Sequence, residues 1–140
     1  MSVTAPTIAR TALLKAERTD RVDMLFGLAF PLQLEPFVFQ MASVLSPDYQ
    51  GGCWDFYVLN NDGFYMAPEN DVSFRVQCPN GFEGVLSADA LGITVCLYAY
   101  SHLSFTAAKP ASTIYANMYH RLREYVMDHE EVESILQATD

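Results

Sequence analysis

The stretch "GGCWDFYVLNNDGFYMAP", Gly51 to Pro68, sets Trp54, Phe56, Tyr57, Phe64 and Tyr65 around a polar Asn60-Asn61-Asp62-Gly63 quartet. Cys53, Asp55 and Tyr57 alternate with Trp54, Phe56 and Val58, a period of two carried by strand-forming residues. Asp62 and Gly63 tolerate positive φ, so the quartet reads as a hairpin turn, with "FYMA" as the returning strand and Pro68 as its stop. Both strands carry aromatics at consecutive positions, and successive strand side chains point to opposite faces. One aromatic face is therefore expected in the core and the other outward.

Beyond the hairpin, Val72, Phe74, Val76 and Cys78 share one face of a third strand, with Ser73, Arg75 and Gln77 on the other. Pro79-Asn80-Gly81 turns the chain toward "FEGVL". The expectation is one antiparallel meander of three strands, four if "FEGVL" joins, with one wet face. Ser87 then reads as an N-cap and Asp89 as a first-turn acid facing the positive end of the helix dipole. The helix they open, about 88–104, is apolar on nearly every side and belongs in the middle of the structure.

Upstream, Asp20 is placed to cap a short helix through Phe26, ended by Gly27, and Pro36 and Pro47 bracket a helix near 35–45. Past Pro110, Ile114, Tyr115, Met118, Tyr119, Leu122, Tyr125 and Val126 form an amphipathic stripe, and a last helix runs from Glu130 to Ala138. The fold class is α+β: a small antiparallel meander packed with about four to five α-helices around a buried central helix. Residues 1–19 are expected to be a partly flexible N-terminal segment and residues 20–140 a single domain.

With 140 residues, 51% hydrophobic and only 18% charged, the chain has the composition of a globule with a sizeable core. Its net charge is −9: residues 1–45 hold four acids and four bases, and the remainder 13 acids against 4 bases. Such a surface does not suit phosphate binding, which needs clustered Lys and Arg, so no direct nucleic-acid contact is expected. Cys53, Cys78 and Cys96 lie in apolar sequence at no metal-ligand spacing and read as reduced, buried thiols of a cytoplasmic protein. The apolar run Val85–Phe105 carries Asp89, Ser101, His102 and Ser104 and lacks basic flanks, so it reads as a core helix and not as a membrane span.

Chemistry-bearing patterns are sparse. His102, His120 and His129 have no Cys, Asp or Glu at a ligand-set spacing, so no metal and no cofactor are expected. "GGCWD" holds no nucleophile between glycines before a helix. The hairpin aromatics leave two readings open. They are core residues that each bury a large area, or Trp54, Phe56 or Tyr65 lines an exposed patch for a protein partner.

Taken in order, "DYQGGCWDFYVLNNDGFYMAP", "NGFEGVLSADALGI", the "YHRLREY" helix and a terminal helix ending in Asp140 resemble the antirestriction proteins of the ArdB/KlcA type, found on bacterial plasmids and other mobile elements. The resemblance runs from about Asp20 to Asp140 and departs at Cys53, where family members commonly carry an aromatic. It implies a single antirestriction domain that protects incoming DNA from host type I restriction enzymes, restriction being affected more than modification. It further implies a protein that is not an enzyme.

The partner is then a host protein of the type I restriction system, met directly or indirectly. The candidate contact residues are Trp54, Asp55, Tyr57, Asp62 and Tyr65 on the outward side of the hairpin, with Asp140 at the end of the chain. Two rival readings remain: a small enzyme joining His102 or His120 to Cys96 or Asp55, and an acidic imitation of DNA. A compact domain of this length is about 37 Å across, from a radius of gyration near 14 Å. Duplex DNA of that length carries about 22 phosphates. The 17 carboxylates, partly offset by 8 cations, fall short of that, so a mimic would have to be a dimer with a concentrated face.

Overall fold

In the computed structural model, which describes residues 7–140, the expected hairpin forms. Strands β2 (Trp54–Leu59) and β3 (Phe64–Pro68) pair antiparallel, with Trp54 opposite Pro68 and Tyr57 opposite Tyr65. Asp62 turns the chain at φ 68, a left-handed conformation that Asp reaches more easily than most residues. A third strand, β1 (Arg10–Ala12), adds to β2 with Arg10 opposite Leu59. Main-chain bonds from Leu13 N–H to Phe56 O (2.8 Å) and from Asn60 N–H to Ala9 O (3.0 Å) lengthen that pairing. The N-terminal segment expected at 1–19 thus supplies a sheet strand; its residues 1–6 lie outside the described ones. The three strand residues are all exposed, so β1 has no apolar alternation to announce it.

Strands β4 (Ser73–Gln77) and β5 (Glu83–Ser87) form a separate two-stranded sheet, with Phe74 opposite Leu86. The strands therefore do not make one meander. The reason lies at the free edge of β3, where α3 (Ala88–Thr106) has taken the backbone acceptors. Tyr100 donates its hydroxyl to Phe64 O at 2.7 Å, and the Cys96 thiol lies 3.8 Å from Met66 O. With α3 packed along that edge no ladder from β4 reaches it, and Pro68 has no N–H to continue one. Within β4 the alternation is as expected: Phe74 and Val76 are buried, and Ser73, Arg75 and Gln77 are exposed.

Helix α3 is the hub, buried from Ala88 to Leu103 on most of its positions. Ser87 caps it as expected, its Oγ accepting the Ala90 N–H at 3.1 Å. At Gly92 the helix lies directly on β3, where an added Cβ would stand 2.5 Å from Ala67 Cα. Helices α2 (Glu35–Leu45), α4 (Ala111–Val126) and α5 (Val132–Thr139) pack around this hub. Helix α1 (Arg18–Phe26) begins two residues before Asp20, so Asp20 is a first-turn acid and not the cap; Gly27, at φ 60, ends it. A π-helical turn, Phe30–Leu34, leads into α2, and the segments Lys15–Phe26 and Phe30–Leu45 meet at 95°. Phe26 on Phe64 (5.5 Å), Phe30 on Phe56 (5.6 Å) and Phe56 on Phe64 (5.6 Å) meet edge to face between these helices and the sheet. Among the described residues no single helix is long and apolar enough to cross a membrane.

One core position is chemically mismatched. Thr94, fully buried on α3, has a hydroxyl with no hydrogen-bond partner among the described residues. Thr94→Val keeps the shape and removes the orphan donor. It should raise the urea midpoint, by about 1 kcal/mol of stability, with an unchanged m value.

Candidate functional site

Period-two geometry sends Asp55 and Tyr57 of β2 and Tyr65 of β3 to one side of the three-stranded sheet. There Tyr65 is sealed, not presented. Its ring is stacked between Tyr57 (5.0 Å) and Tyr125 of α4 (5.8 Å), with no exposed surface. Its hydroxyl accepts from Arg10 Nη1 and donates to Asp89 Oδ1, both at 2.7 Å. Arg10 also reaches Asp89 Oδ1 directly (2.5 Å), and its guanidinium lies 4.3 Å above the Tyr57 ring.

The chain of contacts continues inward. Asp89 Oδ2 lies 2.8 Å from His129 Nε2, and His129 Nδ1 accepts the Glu131 N–H at 2.9 Å. That second bond assigns the ring proton of neutral His129 to Nε2, so the imidazole donates to Asp89. Glu131 in turn accepts Ser87 N–H (3.0 Å) and Ser87 Oγ–H (2.5 Å). β1, the hairpin, the start of α3 and the α4–α5 connection are thereby bound into one polar seam. Burial pushes the Asp89 carboxyl up, but the bonds from His129 and Tyr65 and the charge of Arg10 outweigh it and hold it below the usual carboxylate range. Burial, followed by the Asp89 charge, pushes the Tyr65 phenol well up, so it stays a donor at every working pH.

Beside the seam is a recess of about 380 Å³ whose lining includes Arg10, Asp55, Tyr57, Glu69, Asp71 and Asp89. Four carboxylates against one guanidinium make it electronegative, a hollow that repels phosphate. Of the residues proposed from the sequence it gathers Asp55 and Tyr57, both half-buried.

The other four fall elsewhere. Trp54, expected on the outward face, is 3% exposed: its ring packs on Phe39 and Tyr49, and Nε1–H donates to Tyr49 Oη at 3.0 Å. Tyr65 is buried as described. Asp62 is exposed in the hairpin turn. Asp140 is tied instead to Arg123, 3.6 Å away, and its carbonyl accepts from Asn80 Nδ2 at 3.1 Å. Arg10, Asp89, His129 and Glu131 were not foreseen as partners. The "SADA" cap signal pointed at the right helix start, but contacts across 79 and 40 residues leave no local spacing to read.

Other expectations resolve differently. Cys53 is exposed and not buried, whereas Cys78 and Cys96 are buried and all three are free; burial pushes the Cys96 thiol up to about 12. The His129 side chain is only 7% exposed. His102 stacks on Phe37 at 5.0 Å, and among the described residues no hydrogen bond joins His102 or His120 to Cys96 or Asp55. No group of three or more metal-ligating side chains converges among those residues either.

The comparisons agree with one another. A family model described as "Antirestriction protein" matches residues 47–140. The antirestriction protein KlcA of Escherichia coli is 37% identical over 144 aligned positions, covering 100% of this chain and 98% of its own. The uncharacterized protein YafX of Escherichia coli K12 is 43% identical over 129 positions, covering 89% of this chain and 82% of its own. Among solved structures, one superposes with a TM-score of 0.89 at 32% identity over the whole of both chains. It comes from work reporting that KlcA and ArdB show a novel fold and antirestriction activity against Type I DNA restriction systems in vivo but not in vitro. With the family model spanning the hairpin and α3 to α5, and with a full-length relative in KlcA, this chain belongs to the ArdB/KlcA family of antirestriction proteins.

Proposed function

We propose that this protein shields incoming mobile-element DNA from a host type I restriction system by contact with a host protein, without catalysis and without imitating DNA. It would do so in the bacterial cytoplasm, where the incoming DNA meets the enzyme. The observation that carries the reading is the whole-chain likeness to KlcA in sequence and to the KlcA/ArdB structure in fold. Activity of those relatives in vivo but not in vitro fits an indirect route, in which the purified restriction enzyme would lack a component through which the protein works.

Two features of the site support the non-catalytic part. Both nitrogens of His129 are engaged, one by the Glu131 N–H and the other by Asp89, which leaves no ring nitrogen to serve a substrate as base. Cys96, held at Met66 O in the core, is remote from any substrate. Against mimicry, the densest acidic run (Asp128, Glu130, Glu131, Glu133) loses Glu131, which turns inward onto Ser87.

The test is plating efficiency of unmodified phage on a type I-restricting host, with and without this protein. Restriction should be relieved at least tenfold in cells, while cleavage by the purified restriction enzyme should continue at its normal rate when the protein is added. Unchanged plating efficiency would overturn the reading, and inhibition of the purified enzyme would replace the indirect route with direct binding.

A further inference from the structure

Four of the large apolar side chains left in solvent gather along one short stretch. Leu14, Met24, Leu28 and Leu32 are 70%, 74%, 72% and 71% exposed. Single exposed apolar residues need no explanation, but a group of them around a hollow marks a binding surface. Here the hollow is a cleft of about 510 Å³ between α1, the π-helical turn and β2, floored by Val22, Phe30 and Phe56. Of the four, only Leu28 lines the cleft; Leu14, Met24 and Leu32 do not line it and are only chain neighbours of the lining residues Lys15, Asp23 and Pro31. The volume lies within the roughly 300–1,000 Å³ of sites that engulf a compact apolar group.

The polar chemistry of the cleft is unfinished. The Arg18 side chain is 80% buried, with its guanidinium 4.6 Å from the centre of the Phe56 ring. Its nearest carboxylate, Asp55, is 3.8 Å away, beyond hydrogen-bond distance, and its Nε is buried with no acceptor among the described residues. With Nε buried and unpaired and the Nη groups open, a carboxylate presented from outside would meet the guanidinium end with two parallel bonds. Lys15 stands at the same cleft. Together with Arg10 and Arg21 these two make four of the chain's eight cations within residues 10–21, the most basic stretch of an acidic molecule. Asp23 and Glu35 also line the cleft, on walls shared with Lys15 and Arg18, and burial pushes the Glu35 carboxyl up.

We infer that this cleft, and not the hairpin, is where the protein docks its partner, taking an exposed acidic–apolar segment: a large apolar side chain seated on Val22, Phe30 and Phe56, with an adjacent carboxylate on Arg18 and Lys15. The inference rests on the protein-contact reading above. It accounts for the hairpin aromatics being sealed while apolar side chains remain on α1 and the turn after it.

Two arms test it. In cells, Leu28→Asp and Leu32→Asp alter side chains that contribute nothing to the core, and each should lower phage protection at least tenfold at unchanged melting temperature and expression. Val85→Asp, the same change at an exposed position on β5, should protect fully. In solution, the blocked tripeptide acetyl-Phe-Asp-Leu-amide should bind by ligand-observed NMR at least tenfold more tightly than acetyl-Phe-Asn-Leu-amide, and Arg18→Met should abolish that preference.

Full protection by folded Leu28→Asp and Leu32→Asp overturns the docking site but leaves the antirestriction reading standing. Wild-type protein that gives no protection overturns that reading, and the peptide arm then decides the cleft alone. Equal binding of the Asp and Asn peptides removes the carboxylate from the proposal. Tight binding of 3-phenylpropionate with neither peptide bound assigns the cleft to a small metabolite instead.

Discussion

Gly92→Val should destabilise the protein by about 3 kcal/mol or more, a large share of an ordinary domain's stability. On α3 the α-carbon of Gly92 lies against the backbone of β3, and a side chain there would meet Met66 O and the Ala67 α- and β-carbons. These are backbone and Cβ atoms, which cannot rotate aside as the end of a long side chain can. Gly92→Ala is the sharper version of the test. On helix propensity alone alanine should gain about 1 kcal/mol over glycine, whereas the close approach predicts a net loss. Urea melts of both variants decide it, and a gain in midpoint for Gly92→Ala would mean that α3 and β3 are further apart than they stand here. The spacing also bears on the site, because Asp89 sits one turn before Gly92. Lifting α3 off β3 would draw Asp89 away from Tyr65 and Arg10, so the variant should lose the polar seam along with its packing.

The elements with strong local signals were legible in sequence. Ser87 announced α3, Pro36 and Pro47 bracketed α2, and the alternation of Phe74 and Val76 marked β4. What pairing those strands would choose was not legible. β3 lost its outer edge to Tyr100 and Cys96, a decision made by side chains some 30 residues away that read only as greasy helix. The hairpin illustrates the same limit. Period two separates Tyr57 from Trp54 and Phe56 along β2, yet Trp54, expected outward with Tyr57 and Tyr65, is placed by the pairing on the opposite face. Periodicity could not tell that Phe56 and Phe64 would be covered by α1 and the π-helical turn, and Tyr65 by Tyr125 of α4. Aromatics expected to anchor a partner instead anchor the domain to itself. The cleft at Arg18 escaped notice for a related reason: Leu28 and Leu32 resemble ordinary helix residues until the 95° turn leaves their side uncovered.

Asp89→Ala should cost about 3 kcal/mol at neutral pH, as expected when one member of a mostly buried charge network is deleted. Three donors would lose their acceptor at once: Tyr65 Oη–H, Arg10 Nη1–H and His129 Nε2–H. Asp89→Asn is nearly isosteric and tests whether the loss is one of shape or of hydrogen bonding. The amide oxygen can serve Tyr65 and Arg10, but its NH2 then faces His129 Nε2. His129 cannot turn that nitrogen into an acceptor, since Nδ1 already accepts the Glu131 N–H and a neutral imidazole must carry a proton on one of the two. Donor therefore meets donor, and about 2 kcal/mol should still be lost. The pH dependence separates this from a packing defect. Because folding lowers the Asp89 carboxyl below its ordinary value, its contribution is complete above about pH 4 and is lost as pH falls through the folded value. The stability gap between wild type and Asp89→Asn should accordingly be widest near pH 7 and should narrow below pH 4. Asp48, held at about 2 by Arg75, titrates in both proteins and cancels from the comparison. A gap that stays constant from pH 7 to pH 3 would mean that Asp89 acts through its shape alone, and that the seam joining β1, the hairpin and α3 does not depend on its charge.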